Sequence, residues 1–251
     1  MPDFEQILGI HFINASVTEA VNYISQKGGY IVVPAAPALA NIQRDAEYRR
    51  ALLQADLAIA DSGFMVLLWR IFRRRKIRRI SGLQYTQALL VNPALREQNR
   101  IFLVLPTEAA RSKAMSWLAT ERFQISTEMT YVAPLYESAV HDERLVSLLN
   151  ASRPHHIIIC ISGGTQEKLG LYLREHLGYR PAIHCTGAAL GFLTGDQKSI
   201  PNWADRLYLG WLLRLFREPR RLAARFSRAF ELPRMIWRNG ENLPPLRQSR
   251  N

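Results

Sequence analysis

The sequence predicts an α/β fold in which a Rossmann-like, mostly parallel sheet carries helices on both faces, followed by a basic amphipathic C-terminal helical appendage. Three observations lead to this prediction. Short apolar segments alternate with longer segments of helical spacing up to residue 196. The apolar segments are continuous, which is typical of strands buried on both faces of a sheet. After residue 196 the strand patterns end, and arginine, leucine and aromatic residues recur at helical spacing.

The predicted strands and helices alternate along the chain, as a parallel sheet requires. Each strand segment is rich in Val, Ile or Leu and is bounded by turn-forming or charged residues. In chain order the predicted strands are 29–37, 56–63, 100–106, 123–134, 154–164 and 181–189. Four segments that begin with Ser or Thr are predicted to be helices, namely 16–28, 107–122, 138–152 and 165–178. These elements define a predicted α/β domain of residues 1–196.

Residues 197–240 are predicted to form an Arg-rich helical appendage, and 241–251 a disordered tail. At 100° per residue, five arginines of the appendage fall on one arc and large apolar side chains on another. A second helix is expected to start at Pro219. Such helices are typical of membrane-surface or acidic-partner binding. The five arginines are Arg214, Arg217, Arg221, Arg225 and Arg228.

The formal net charge of +12 is concentrated in two segments of the chain. Residues 70–79 contain seven Arg or Lys and no acid, and residues 206–251 contain eleven Arg against three Glu. Local positive charge of this kind favours a surface for phosphates or anionic lipid headgroups. Nucleic-acid binding is disfavoured, because the sequence contains no recognisable nucleic-acid-reading module.

The sequence indicates a reducing, cytoplasmic environment. Cys160 and Cys185 lie in segments that are predicted to be buried, and no disulfide framework is apparent. The N-terminus lacks the pattern of a secretory signal, and charged residues interrupt the longest apolar stretch, 55–72. Cys and His residues do not occur at zinc-ligand spacing, so no metal site is predicted.

Ligands of parallel α/β sheets bind beyond the carboxyl ends of the strands. The loops expected at that edge are 34–37, 61–63, 106–108, 162–166 and 186–189. Asp61 follows a predicted strand directly, so it is a candidate general base or a ligand of a sugar hydroxyl. The alternative is that Asp61 or Ser62 caps a helix starting near Phe64, and spacing alone favours the cap.

The segment "ISGGTQEKLG", residues 161–170, predicts a strand, a Ser-Gly-Gly turn and a helix. Glycines permit close approach of a ligand, and a helix N-terminus binds anions. The pattern also fits an ordinary tight turn, and it matches neither phosphate-loop motif. The candidate binding residues of this segment are Ser162, Gly163, Gly164, Gln166 and Glu167.

Taken in order, four segments resemble those of the bacterial WecG/TagA/CpsF glycosyltransferases, from about residue 10 to 230. The first three are "ADSGFMVLLWR", "RISGLQYTQALL" and "ISGGTQEKLG"; the fourth is a closing block with Trp-x-x-Arg and Glu-Pro-Arg-Arg. The resemblance implies that Asp61 is the general base. It adds Arg79, Gly82 and Gln84 to the substrate-binding residues, with Gln84 in place of a family Asp.

The resemblance implies transfer of a hexosyl or N-acetylhexosaminyl residue from a UDP-sugar to a polyprenyl-diphosphate-linked sugar, in exopolysaccharide or other cell-surface polysaccharide biosynthesis. It implies an inverting, metal-independent reaction with no cofactor. The five arginines would neutralise the acceptor diphosphate and contact an anionic membrane on its cytoplasmic face, and a homo-oligomer remains open.

Several polar positions of the family motifs differ in this chain. The changed positions are Val33 to Ala36, Gln84, Gly164-Thr165, Leu190-Gly191, Ser199-Ile200-Pro201 and Leu209-Gly210. These changes leave the donor sugar open. They also leave a second hypothesis, a non-catalytic protein that binds a nucleotide sugar or scaffolds a polysaccharide assembly complex.

Overall fold

An eight-stranded sheet forms the centre of the computed structural model, which describes residues 3–98, 100–137, 139–197 and 228–247. The strands are β1 Asp3–Ile7, β2 Ile10–Asn14, β3 Gly29–Val32, β4 Leu57–Ala58, β5 Ile101–Leu105, β6 Thr130–Val132, β7 His156–Ile159 and β8 Ala182–Cys185. Their order is β1-β2-β4-β3-β8-β7-β5-β6. Only β1 and β2 pair antiparallel, and the other neighbours in the described sheet are parallel. The predicted mostly parallel sheet is confirmed.

Helices cover both faces of this sheet. The helices are α1 Val17–Lys27, α2 Ala36–Leu39, α3 Ala46–Leu53, α4 Gly63–Arg73, α5 Gly82–Leu90, α6 Glu108–Thr120, α7 Glu143–Ser152, α8 Thr165–His176, α9 Ala189–Leu193 and α10 Leu232–Asn239. Short 3-10 turns occupy Ala40–Gln43, Pro93–Arg96 and Thr127–Met129. Helices α3, α4, α7, α8 and α10 contribute to the apolar core on one face, and α1, α5, α6 and α9 to that on the other.

Successive strand residues divide between these two cores, as the pleat of a strand requires. In β3, Tyr30 and Val32 belong to one core and Ile31 to the other, and all three are fully buried. This two-sided burial explains why the strand segments are continuously apolar. Cys160 and Cys185 are buried and unpaired, as the sequence predicted.

The observed strands are shorter than the predicted segments, and one hairpin was missed. The predicted strand 123–134 forms pairs only over Thr130–Val132. The β1–β2 hairpin turns at Leu8 and Gly9, which have φ of 52° and 82°. Both central residues of such a tight turn need positive φ, which Asn-Gly or Asp-Gly pairs usually provide. Because a leucine occupies the first position here, the sequence lacked the usual hairpin signal.

The C-terminal described segment, 228–247, lies against the α/β domain. Helix α10 packs on α4. Leu8 N–H donates to the Gly240 carbonyl at 2.8 Å, and Gly9 N–H to the Glu241 carbonyl at 2.7 Å. Residues 241–247, for which the sequence indicated disorder, therefore contact the body of the protein. The predicted basic helix of the appendage lies mostly outside the described residues.

A chain of hydrogen bonds links α5 to the core of the sheet. Tyr85 Oη lies 2.8 Å from His184 Nδ1, and His184 Nε2 lies 3.0 Å from His156 Nδ1. His184 is fully buried, and the two imidazole rings stack. Burial lowers the pKa of His156 to about 4, helped by the positive charges of His155 and Arg100. Burial also holds the pKa of His184 well below its usual value.

We expect these two histidines to make the folded state less stable in acid. Below about pH 6.5 the unfolded chain takes up protons that the folded chain cannot. The free energy of unfolding should therefore fall between about pH 7 and pH 5, by up to about 1.4 kcal/mol per pH unit for each histidine. Urea unfolding across this range measures the slope of the unfolding free energy against pH. In His156→Gln this slope should correspond to about one fewer proton taken up on unfolding. An unchanged slope in that variant would contradict the assignment.

Candidate active site

The ends of four neighbouring strands meet around two glycines at the carboxyl edge of the sheet. A Cβ atom placed on Gly82 would lie 3.5 Å from Val33 Cγ1, beyond β3, and 3.7 Å from the carbonyl oxygen of Thr186, beyond β8. A Cβ atom on Gly187 would lie 3.5 Å from the side-chain amide of Gln166, which follows β7. The predicted candidate residues after β4, β7 and β8 are thus neighbours in the folded chain.

Asp61 is not the cap of the helix that follows it. Ser62 caps α4, since its Oγ accepts the Met65 N–H at 3.1 Å. The Asp61 carboxylate instead turns toward α5, where Oδ1 accepts the Gly82 N–H at 2.9 Å. The half-buried Asp61 carboxylate is therefore held at the sheet edge by the first turn of α5, and the cap hypothesis is wrong for this residue.

The predicted residues of the 79–84 segment surround Asp61 or shape its loop. Arg79 Nε donates to the Asp61 carbonyl at 2.8 Å, which fixes the backbone of the strand end. Gln84 forms a capping box with Ser81: its Oε1 accepts the Ser81 N–H at 3.1 Å, and its own N–H donates to Ser81 Oγ at 3.1 Å. This gives Gln84 a structural role. Substrate binding by Gln84 stays a prediction.

A shallow groove adjoins this segment. Its volume is about 410 Å³, and its lining residues are Ser16, Val17, Arg78, Arg79, Ile80, Gln84 and Gln87. Two arginines and two capped helix N-termini give the groove a positive character. Arg79 connects the groove to the Asp61 loop, because it lines the groove and donates to the Asp61 carbonyl. The groove offers room for a polar, anionic molecule.

The turn before α8 is built around a buried carboxylate. Glu167 is fully buried, and its Oε2 accepts the N–H of Gly164 at 2.6 Å. Its Oε1 accepts from Gln166 Nε2 at 3.1 Å. Gly164 has φ of 98° and open space around its Cβ position, so the Ser162–Gly164 turn presents backbone rather than side chain. Glu167 thus holds the turn from its buried side, while Ser162 is exposed at the surface of the turn.

Two buried acceptor atoms at this edge have no hydrogen-bond partner among the described residues. They are Gln166 Oε1 and Thr186 Oγ1, on side chains that are 3% and 6% exposed. An unsatisfied buried polar atom destabilises the fold by about 1–3 kcal/mol, so its presence at a site edge suggests a ligand that satisfies it. Sequence reasoning placed Thr186 at the edge but gave it no role; a Thr-Gly pair ending a buried strand was the signal.

The described part of the chain does not show the predicted C-terminal arginines at this edge. Arg214, Arg217, Arg221 and Arg225 lie outside the described residues. Arg228 is exposed and donates from Nη1 to Asn41 Oδ1 at 3.4 Å. Their predicted contact with a diphosphate stays a prediction.

The described residues were also compared with the requirements of a metal site and of a membrane-spanning helix. They contain no cluster of three or more His, Cys, Asp or Glu side chains that could hold a metal ion. No helix among them has the length and apolar character needed to cross a bilayer.

Comparison with known proteins agrees with the motifs at this edge. The family model described as Glycosyl transferase WecG/TagA/CpsF family matches residues 5–248. The chain is 25% identical over 237 residues to the N-acetylglucosaminyldiphosphoundecaprenol N-acetyl-beta-D-mannosaminyltransferase of Bacillus subtilis (strain 168), covering 92% of this chain and 88% of that protein. The match covers the Asp61 loop, the Arg79–Gln84 segment and the turn before α8. The resemblance predicted from the motifs is confirmed, and the chain belongs to the WecG/TagA/CpsF family of glycosyltransferases.

Proposed function

We propose that this protein transfers a hexosyl or N-acetylhexosaminyl residue from a UDP-sugar to a polyprenyl-diphosphate-linked sugar. Family membership supports glycosyl transfer, and the name of the Bacillus subtilis relative supports a lipid-diphosphate acceptor. The observation that carries the proposal is the Asp61 carboxylate, held by the Gly82 N–H at the sheet edge rather than used as a helix cap. The product would enter an exopolysaccharide or another cell-surface polysaccharide.

The proposed reaction is a single displacement with inversion at the anomeric carbon. Asp61 accepts the proton of the acceptor hydroxyl as its oxygen bonds to the anomeric carbon, and the bond to the UDP oxygen breaks with its electron pair. The Gly82 N–H orients the carboxylate, and Arg79 fixes the strand end that carries it. One carboxylate suffices for this reaction, because no covalent sugar–enzyme intermediate forms.

The departing UDP carries the negative charge that develops in the reaction. The positive end of the α8 dipole and the Ser162–Gly164 turn, whose Ser162 is exposed, are suited to stabilise that charge. The arginines predicted in the appendage, Arg214 to Arg228, would supply further positive charge to the acceptor diphosphate and to an anionic membrane. We propose on this basis that protein cations replace a divalent metal, and that the enzyme works at the cytoplasmic face of the membrane.

Gln166 and Thr186 are proposed to bind the donor. Each offers a buried oxygen without a partner among the described residues, so each can accept a hydrogen bond from a sugar hydroxyl or an amide N–H. Gly187 keeps the space beside the Gln166 amide open, since a side chain there would crowd it. The two oxygens lie at the same sheet edge as Asp61, which supports the proposal that donor recognition and proton transfer occur there together.

Thr186→Val should raise the KM for the donor about tenfold without lowering the stability of the free protein, because valine removes an unsatisfied hydroxyl at nearly constant volume. Steady-state kinetics and thermal unfolding measure the two effects. Thr130→Val is the matched control, since the Thr130 hydroxyl donates to the Thr127 carbonyl at 2.6 Å far from the site. The control should lose about 1 kcal/mol of stability and keep its KM. A destabilised Thr186→Val with unchanged KM would contradict donor binding.

The experiment that tests the function is transfer from a panel of UDP-sugars to a polyprenyl-diphosphate-linked N-acetylhexosamine by the full chain, followed by mass spectrometry of the lipid product. A product larger by one sugar residue supports the proposal. The altered motif positions favour one other function, a non-catalytic nucleotide-sugar-binding or scaffold protein. Saturable binding of a UDP-sugar without transfer or hydrolysis, across the whole panel, would favour that function instead.

A further inference from the structure

Helix α4 presents an apolar and basic face to solvent on the side opposite its buried residues. Its buried side includes Met65 and Trp69, which belong to the core. On the other side, Leu67 and Ile71 are 49% and 59% exposed. Residues 67, 70 and 71 share one face, since they are three and four positions apart, and the exposed Arg74 follows directly after the helix. The two exposed aliphatic side chains therefore lie beside Arg70, with Arg74 at the end of the helix.

Helix α10 has a similar exposed face. Leu232, Met235 and Ile236 are buried, whereas Trp237 is 65% exposed. Arg234 and Arg238 are also exposed. Trp237 lies three residues after Arg234, so the two share one face of the helix, and Arg238 is the next residue in the chain.

The two faces meet at the carboxyl ends of the two helices. Arg73 Nη2 donates to the carbonyl oxygens of Ile236 and Trp237, both at 3.2 Å. Phe72, which is 37% exposed, is next to that arginine in the chain. We call the combined surface the α4–α10 patch. Its members are Leu67, Arg70, Ile71, Phe72, Arg74, Lys76, Arg234, Trp237 and Arg238.

The charge of the α4–α10 patch indicates which kind of partner it fits. Arg70, Arg74 and Lys76 have no ion pair with any described residue, whereas the neighbouring Arg75 is paired with Glu5 and Glu241. The patch thus combines exposed aliphatic and aromatic side chains with unneutralised cations. An anionic bilayer surface matches both properties, because apolar side chains enter the headgroup boundary while arginines remain among the phosphates.

We propose that the α4–α10 patch docks the enzyme on an anionic bilayer, so that helix α4 of the α/β domain joins the appendage in contacting the membrane. The proposal rests on the proposed function only in that a lipid-linked acceptor gives the docking its purpose. Helix α4 begins two residues after Asp61 and spans about 16 Å, so it connects the catalytic edge to the patch. Docking there brings the enzyme to the bilayer in which a polyprenyl lipid is held.

The test compares vesicle flotation of the full chain and of Leu67→Glu/Ile71→Glu, with vesicles of phosphatidylcholine alone or with added phosphatidylglycerol. We expect wild type to float with the anionic vesicles and the double variant to partition at least about tenfold more weakly. Arg70→Gln and Arg74→Gln should each weaken partitioning about fivefold, and more strongly at low salt. Leu135→Glu/Leu148→Glu is the matched control. It alters two exposed leucines, one in the loop after the edge strand β6 and one on α7, and should float like wild type.

Three outcomes would overturn the proposal. The first is equal flotation of wild type and Leu67→Glu/Ile71→Glu, and the second is failure of wild type to bind the anionic vesicles. The third is a wild-type oligomer in sedimentation that the double variant converts to monomer, which would make the patch a surface for a second copy. Circular dichroism and thermal unfolding establish that each variant is folded.

Activity assays separate this proposal from the proposed function. With a short-chain, water-soluble lipid-diphosphate acceptor, Leu67→Glu/Ile71→Glu should retain wild-type transfer, and it should lose transfer only to acceptor embedded in vesicles. Asp61→Asn should show the opposite behaviour, with wild-type flotation and no transfer to either acceptor. Wild-type flotation without transfer by any form would refute the proposed function and leave the docking surface standing.

Discussion

Asp61→Asn is expected to lower kcat for glycosyl transfer by about 10²–10⁴-fold, which is the contribution typical of a positioned general base. The fold should be preserved, because an asparagine Oδ1 can still accept the Gly82 N–H that the carboxylate accepts at 2.9 Å. The neutral amide, however, cannot take up the acceptor proton. Binding of the UDP-sugar should change little, so the loss should appear in kcat rather than in the donor KM. Initial-rate kinetics with a lipid-diphosphate acceptor, together with isothermal titration of the donor, measure both quantities.

Ser62→Ala is the matched control for this variant. Ser62 is the next residue and caps α4 through its contact with the Met65 N–H, so its loss should lower stability by about 1 kcal/mol. Its kcat should stay close to that of wild type. If Asp61→Asn retained wild-type kcat, or if both variants lost kcat in parallel with stability, the carboxylate would be a structural residue and not the base.

Glu167→Ala should produce the second large effect, this time on both stability and transfer. The buried carboxylate accepts from the Gly164 N–H at 2.6 Å and from Gln166 Nε2 at 3.1 Å, and alanine removes the acceptor of both, including that of the buried Gln166 amide. We expect a loss of about 2–5 kcal/mol in the free energy of unfolding, together with a higher donor KM as the Ser162–Gly164 turn loses its shape. Urea unfolding and donor titration measure these changes.

Glu175→Ala serves as the control on the same helix. Glu175 pairs with Arg50 at 2.5 Å, and both side chains are substantially exposed, so its removal should lower stability by less than about 1 kcal/mol and leave the KM unchanged. Equal effects of the two substitutions would show that Glu167 has no special role in the turn.

The architecture of the sheet was predictable because burial on both faces leaves a clear pattern. The six strands β3 to β8 all fall within predicted apolar segments, and residues such as Ile31 and Val32 are buried on opposite faces. Strand β2, which pairs in parallel with β4, was not predicted. The β1–β2 hairpin was not predictable in the same way. Its turn places Leu8 at positive φ, a conformation that tertiary contacts impose against the preference of the residue.

The position of Asp61 and of the Ser162–Glu167 segment at the sheet edge was predictable, but the contacts of these residues were less so. Asp61 and the Ser162–Glu167 segment follow strands, so their position at the edge could be inferred from strand order. Which of two adjacent polar residues caps α4 could not, because Asp61 and Ser62 are both good caps and only the backbone geometry distinguishes them. The burial of Glu167 could not be predicted either, since a glutamate in a first helical turn is usually exposed.

The contact between the β1–β2 turn and Gly240–Glu241 joins residues that are more than two hundred positions apart, and this separation matters for biosynthesis. The hairpin is synthesised more than two hundred residues before the carbonyl groups that accept the Leu8 and Gly9 N–H bonds. The hydrogen bonds that complete the hairpin turn can therefore form only after residues 240 and 241 have been synthesised. A nascent or truncated chain that ends before residue 240 would keep this edge open, and would be a natural target for chaperones and proteases.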